Sequence, residues 1–286
     1  MASILEQIFD AKRAELAQQR KQVSLEQIKT AALDAPPPRD FVAALRRRAP
    51  AIIAEVKRAS PSKGDIFPGL DPARVAGDYQ ASGAAAVSVL TDCHFKGSLA
   101  DVSAVRSAVD LPILRKDFMF DPYQLYETRA AGADCVLLIT AMLPSERLRA
   151  LNDLAHELGL ALLVEVHNPE EFSLATELGA ELIGINNRDL HTFRTDRATT
   201  SKLLYGYSGN ALIVSESGIE TPEHIQQLYA DGARAFLIGE SLLRGGVPRH
   251  ALAALMNCFG NATSGDLPSK VASRAAAEES KRESPE

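Results

Sequence analysis

Cysteine is scarce in this chain: Cys93, Cys135 and Cys258 are the only three in 286 residues, far apart and outside any Cys-x-x-Cys or Cys-x-x-His spacing. Neither a disulfide framework nor a zinc site is expected, and a reducing, cytoplasmic setting is the default. The six histidines, His94, His156, His167, His191, His224 and His250, show no HExxH or similar ligand spacing. No metal is expected, and most of them read as surface or helix residues. No stretch approaches the roughly 20 apolar residues that span a bilayer. The N-terminus mixes acidic and basic residues where a signal peptide would have an apolar block, so no membrane partner is expected. A basic excess is also missing. With a net charge of −6 and 24% charged residues, no nucleic-acid partner is expected.

What the chain does have is repetition. Apolar runs of strand length begin near Ala51, Ala85, Pro112, Cys135, Ala161, Leu182, Leu212 and Ala235, with helical patterns between them. The approach to several is nearly one phrase: Ser-Gly-Ala-Ala-Ala-Val at 82–87, Ala-Gly-Ala-Asp-Cys-Val at 131–136, Leu-Gly-Ala-Glu-Leu-Ile at 178–183 and Asp-Gly-Ala-Arg-Ala-Phe at 231–236. A helix that stops at Gly and re-enters a buried strand is the αβ turn of a parallel α/β fold. Asp71-Pro72, Asp121-Pro122, Asn168-Pro169 and Thr221-Pro222 set an N-cap before a first-turn proline, and Pro144-Ser145-Glu146 is a weaker start of the same kind. Eight units leave an open doubly wound sheet or a (β/α)8 barrel. The barrel is favoured, because no Gly-x-Gly-x-x-Gly follows the first strand and polar strand ends recur all along the chain.

Three regions are expected. Residues 1–47 read as an N-terminal helical extension. Ile4, Leu5, Ile8, Leu16, Phe41, Val42 and Leu45 lie at helical spacing, Ser24-Leu25-Glu26-Gln27 forms a capping box, and Pro36-Pro37-Pro38 is a break. Covering one barrel end is its expected job. Residues 48–260 form the barrel, and 261–286, rich in Ser, Ala, Glu and Lys, read as a disordered tail.

The strand ends carry the chemistry. By parity Glu55, Lys57, Lys116, Glu165, Asn186, Arg188 and Glu216 fall on the inward faces of their strands near the C-terminal ends. Carboxylates and ammonium groups in a core are costly to desolvate, so they belong where a cavity or substrate compensates them. Lysines among glutamates stay charged and suit proton donation. The bland alternative is a set of ion pairs that merely seals the barrel top. After the last two strands come Ser217-Gly218-Ile219 and Ile238-Gly239-Glu240-Ser241, turns whose backbone can take a phosphate, with Ser60 and Arg188 as added donors. Taken singly, these glycines could equally serve as tight turns. Cys135 reads as core. Phe118 is left between core and the wall of an aromatic pocket.

Glu55-Val-Lys-Arg-Ala-Ser-Pro-Ser-Lys-Gly64, Leu114-Arg-Lys-Asp-Phe118 with Asp121-Pro-Tyr-Gln124, Leu163-Val-Glu-Val166, Gly184-Ile-Asn-Asn-Arg-Asp-Leu190 and Val214-Ser-Glu-Ser-Gly-Ile219 together resemble indole-3-glycerol phosphate synthases, in order from about residue 1 to 260. The resemblance implies closure of the indole ring of 1-(2-carboxyphenylamino)-1-deoxyribulose 5-phosphate with loss of carbon dioxide and water, without a cofactor. It implies Lys116 as general acid, Lys57 and Glu55 as the strand-one catalytic pair, and Glu165 as the strand-five carboxylate. It also implies Asn186, Glu216 and Ser217 around the reacting ribulose, and Phe118 on the anthranilate wall. Ser60, Arg188, Gly218, Gly239 and the backbone at Glu240 match the phosphate site. The expected partner is a phosphorylated small molecule, met by a cytoplasmic monomer with at most weak association with other tryptophan-pathway enzymes. Competing readings are a phosphoribosylanthranilate isomerase, which expects a Cys or Asp acid–base pair, and a non-catalytic ligand-binding barrel. Two points stay open: whether Glu55 or Glu165 serves as dehydration base, and whether residues 60–67 close as a lid.

Overall fold

The computed structural model describes residues 4–60, 63–190 and 192–256. The expected tail at 261–286, Cys258 and His191 lie outside the described residues. Eight parallel strands close in sequence order into one barrel: β1 (Ala51–Val56), β2 (Ala86–Leu90), β3 (Ile113–Lys116), β4 (Cys135–Ile139), β5 (Ala161–Val166), β6 (Leu182–Asn186), β7 (Leu212–Glu216) and β8 (Ala235–Ile238). Around it run α4 (Pro72–Ala81), α5 (Leu99–Ala108), α6 (Pro122–Ala130), α7 (Ser145–Glu157), α8 (Pro169–Glu177), α9 (Ala198–Leu203), α10 (Pro222–Asp231), α11 (Glu240–Leu243) and α12 (Pro248–Met256). The fold is the expected (β/α)8 barrel.

The N-caps lie where the sequence puts them. Asp71, Asp121, Asn168 and Thr221 each accept a backbone N–H of the first turn, ahead of a proline that has no N–H to lose. Pro144 differs, because α7 begins one residue later at Ser145 and has no side-chain cap.

Alternation along each strand divides the core in two. Ile52, Val87, Val136, Val164, Ile183 and Ile213 face outward against the helices. Ile53, Leu114, Leu137, Leu163, Val214 and Leu237 fill the barrel. Full burial of each such aliphatic side chain stabilises the fold by about 1.5–3 kcal/mol relative to exposure.

The segment before β1 covers both barrel ends, not the single end expected. Helix α3 (Phe41–Arg46) inserts Phe41, Val42 and Leu45 among the strand starts, beside Ala51, Ala85 and Cys135. Helix α1 (Ile4–Gln22) crosses the opposite mouth. Its buried Lys12 pairs with Asp92 and Asp117, at 2.9 Å each, in the loops after β2 and β3, and Phe9 packs on Phe120 with ring centroids 4.8 Å apart. Between them α2 (Leu25–Asp34), closed by the Ser24 and Gln27 capping box, packs along α6. The period of 3.6 marks these helices as amphipathic, but two faces turned to two different barrel ends look alike in sequence.

Candidate active site

A cavity of about 340 Å³ opens at the C-terminal mouth of the barrel. Its floor is a charged layer. Glu55, Lys116, Glu165 and Glu216 come from β1, β3, β5 and β7, the alternation of strands by which such a barrel builds one interior layer. Three carboxylates and one ammonium replace the usual branched aliphatics there.

Lys116 reaches across the barrel axis. Its Nζ lies 2.7 Å from Glu216 Oε2 and 3.1 Å from Glu165 Oε2. Burial alone would favour the neutral amine, but the charges of Glu216 and Glu165 outweigh it and raise Lys116 well above its ordinary value. The two carboxyls then part company. Burial also disfavours charge on Glu165, yet Lys116, His167 and Asn186 hold it well below the usual carboxylate range. Glu216, desolvated and facing the charge on Glu165, is pushed up to about 7 in spite of Lys116. Two acids of one layer thus have opposite tendencies.

Glycines shape this floor. In register Glu165 stands beside Gly184, and Asn186 beside Glu216. Glu216 leans into the hollow at Gly184, where an added Cβ would overlap its Oε1 and stand 3.4 Å from its Cδ. Gly239 does the same for Glu55, whose Cβ and Cδ lie 2.9 Å from the position of a missing Cβ. Gly239 is therefore small on account of Glu55 and has no left-handed φ. That adds a packing role to the turn and phosphate readings expected of it. Glu55 in turn pairs with Lys57, Nζ to Oε1 2.5 Å.

Asn186 joins the layer to the rim. Its Nδ2 donates to Glu165 Oε1 at 3.0 Å, and its Oδ1 accepts from Ser217 Oγ at 2.8 Å and from the Arg188 backbone N–H at 3.0 Å. Ser217 adopts the left-handed region at φ 66° and Gly218 follows at 75°, a tight turn that lays their backbone on the cavity wall. Glu240 is on the same wall, 2.8 Å from Lys63 Nζ and 3.8 Å from Arg188 Nη2, with Arg244 on its outer side. Burial opposes its charge, but Lys63 and Arg244 hold it below the ordinary value. Phe118 lines the cavity and packs against the interior core at once.

Lys57, Lys116, Glu55, Glu165, Asn186, Arg188, Glu216, Ser217, Gly218, Gly239, Glu240 and Phe118 thus meet around one space. Ser60 does not. It pairs with Gly64 in a ribbon of two short strands, Ala59–Ser60 and Gly64–Asp65, and its buried hydroxyl has no hydrogen-bond partner among the described residues and is not on the cavity wall. His167 was missed by spacing rules made for metals. It shares the parity of Glu165 and lies half-buried against it, with Nε2 3.2 Å from Glu165 Oε1. Lys63 and Ile8 of α1 are further additions to the wall. Distance from any strand hides Ile8 in the sequence, whereas the parity of His167 was there to be read.

A closed parallel barrel whose mouth holds paired lysines and glutamates above an apolar interior defines a (β/α)8-barrel enzyme of the acid–base kind. The family model for indole-3-glycerol phosphate synthase matches residues 5–255, and the chain belongs to that family. An indole-3-glycerol phosphate synthase of Roseiflexus sp. (strain RS-1) is 50% identical over 253 residues, 85% of this chain and 94% of that protein. The enzyme of that name from Chromobacterium violaceum is 46% identical over 260 residues, 89% and 98% of the two chains. A solved N-acetylmannosamine-6-phosphate 2-epimerase from Clostridium perfringens superposes with a TM-score of 0.57 at 16% identity, covering 71% of this chain and 91% of that one. At that identity the likeness speaks for the barrel alone. Among the described residues no helix is long and apolar enough to cross a membrane.

Proposed function

We infer that the protein converts 1-(2-carboxyphenylamino)-1-deoxyribulose 5-phosphate to indole-3-glycerol phosphate, releasing carbon dioxide and water, as a carboxy-lyase of tryptophan biosynthesis. The observation that carries the reading is Lys116, held charged between Glu165 and Glu216 at the floor of a cavity walled by Phe118.

The chemistry follows from the order of the groups. The aromatic carbon bearing the carboxylate attacks the ribulose ketone carbon, and Lys116 delivers a proton to the ketone oxygen as the new carbon–carbon bond forms. Carbon dioxide then leaves, and the electrons of its bond restore the aromatic ring. Loss of the hydroxyl as water needs an acid at that oxygen and a base for the remaining proton. Lys57 and Glu55 form a pair of their own, 2.5 Å apart, whereas Glu165 is saturated by Lys116, Asn186 and His167. This favours Glu55 over Glu165 as the dehydration base. Asn186, Glu216 and Ser217 surround the ribulose, and Phe118 takes the anthranilate ring.

The phosphate is assigned to the backbone at Gly218, Gly239 and Glu240 with the Arg188 guanidinium, a grip that turns attack by a flexible chain into an effectively unimolecular step. A phosphorylated substrate is too polar to cross a bilayer unaided, which supports cytoplasmic action. The protein acts as a monomer in this reading, with only weak association with neighbouring enzymes of the pathway.

An isomerase reading fits less well. Cys135 is buried in the interior core, and Asp117 on the cavity wall is tied to Lys12, Arg115 and Thr91. Indole fluorescence should rise when the purified protein meets the carboxyphenylamino-deoxyribulose phosphate with no metal or cofactor added. No fluorescence at any enzyme concentration would discard the assignment.

A further inference from the structure

His167 stands between two carboxylates just past the end of β5. On one side its Nε2 lies 3.2 Å from Glu165 Oε1, out of line for a directed hydrogen bond and so chiefly a charge contact. On the other its Nδ1 lies 3.1 Å from Glu171 Oε2, which also accepts the His167 backbone N–H at 2.8 Å. Glu171 is itself fixed. Thr140 Oγ1 donates to Oε2 at 2.8 Å, Asn168 Nδ2 donates to Oε1 at 2.7 Å, and the Glu171 N–H answers to Asn168 Oδ1 at 2.9 Å in the N-cap of α8. Thr140 also lies 2.8 Å from the Glu165 carbonyl, so the same hydroxyl spans the strand end and the helix start.

A carboxylate only accepts. An imidazole that is hydrogen-bonded to one carboxylate through Nδ1 and has a second carboxylate against Nε2 is best compensated as the imidazolium, whose charge both carboxylates oppose. We propose that His167 is a positioning residue: a permanent cation, locked by Glu171, that keeps Glu165 ionised and aimed at Lys116 from the side away from the substrate.

The charged groups around this chain are few. Glu165 and Glu171 face His167, and Lys116 and Glu216 face Glu165 from β3 and β7. Burial would lower the imidazole, but its contacts with Glu165 and Glu171 raise it to about 10, so it stays charged throughout the neutral range. The consequence for the floor is direct. With His167 and Asn186 on Oε1 and Lys116 on Oε2, Glu165 is the fixed anion of the layer, and proton traffic falls to Lys116 and the raised Glu216. The signs follow. Removing the cation raises the pKa of Glu165, and protonated Glu165 no longer holds Lys116.

This inference rests on the proposed synthase activity, and its test separates the two. The imidazole nitrogens of His167 are followed by NMR from pH 6 to 9 in the intact protein, and kcat is measured against pH for His167→Ala, His167→Lys and Glu171→Gln. His167 is expected to stay doubly protonated across that range. His167→Ala should move the acid limb of kcat upward by about one pH unit or more with KM nearly unchanged, and His167→Lys should restore much of it. Glu171→Gln should let His167 titrate inside the range and give kcat a new alkaline limb. A neutral imidazole at pH 7, or an acid limb unmoved in folded His167→Ala, overturns the proposal. If the wild-type protein makes no indole product, the synthase reading falls, and the NMR titration still decides the state of His167.

Discussion

Lys116→Met is expected to lower kcat by about 10²–10⁴-fold while KM changes by less than about tenfold. Methionine keeps most of the length of the side chain and removes the ammonium. The two outcomes differ because, in the proposed mechanism, Lys116 acts on the ketone oxygen as charge develops there, whereas the residues proposed to bind phosphate and ring stand elsewhere around the cavity. A second effect rides along. Glu165 and Glu216 lose the ammonium that both share, and removing one partner of a buried ion pair costs about 3–5 kcal/mol of stability. Glu216, already raised to about 7, takes up a proton and softens that cost. Initial rates by indole fluorescence, normalised to protein shown folded by circular dichroism, check the prediction. Normal turnover in a folded Lys116→Met variant would remove Lys116 from its role.

Gly184→Ala is expected to be the second most damaging change, although it adds one methyl group and touches no substrate. The new Cβ would occupy the space of Glu216 Oε1. The clashing atom is the end of a side chain, so the fold gives way there at a cost of about 1–3 kcal/mol. The carboxylate must leave its 2.7 Å contact with Lys116 to do so. A displacement of about 1 Å at a reacting group can cost about 10²-fold in rate, and kcat per folded molecule should fall on that order. A loss of stability with unchanged kcat would show that the hollow serves packing alone. The corresponding change at Gly239 meets Glu55 in the same manner.

These glycines also mark what the sequence could and could not disclose. Period-two alternation puts Glu55, Lys116, Glu165 and Glu216 on inward faces, and closure of eight strands makes inward faces converge, so the floor was legible before any coordinate. The partners were not. Which lysine pairs with which glutamate depends on the shear of the barrel and on hollows at Gly184 and Gly239, and a glycine at a strand end looks the same whether it frees a backbone or admits a neighbour's carboxylate. Ser60, expected as an added phosphate donor, pairs with Gly64 in a local ribbon and is not among the residues that line the cavity, a placement no strand parity could disclose. His167 was hidden by the question asked of it. Spacing tests for metals pass over an imidazole whose significance lies in two carboxylates, one of them Glu171 on a helix four residues on.

The central claim is that two lysine–carboxylate groups divide the reaction, Lys116 closing the ring and Lys57 with Glu55 expelling water. A single turnover of Lys57→Met tests it most directly, with carbon dioxide release and indole fluorescence followed together. The account predicts close to one carbon dioxide per active site with little indole signal, because closure and decarboxylation precede the step that Lys57 serves. Carbon dioxide and indole lost together, to the same extent as in Lys116→Met, would contradict the division.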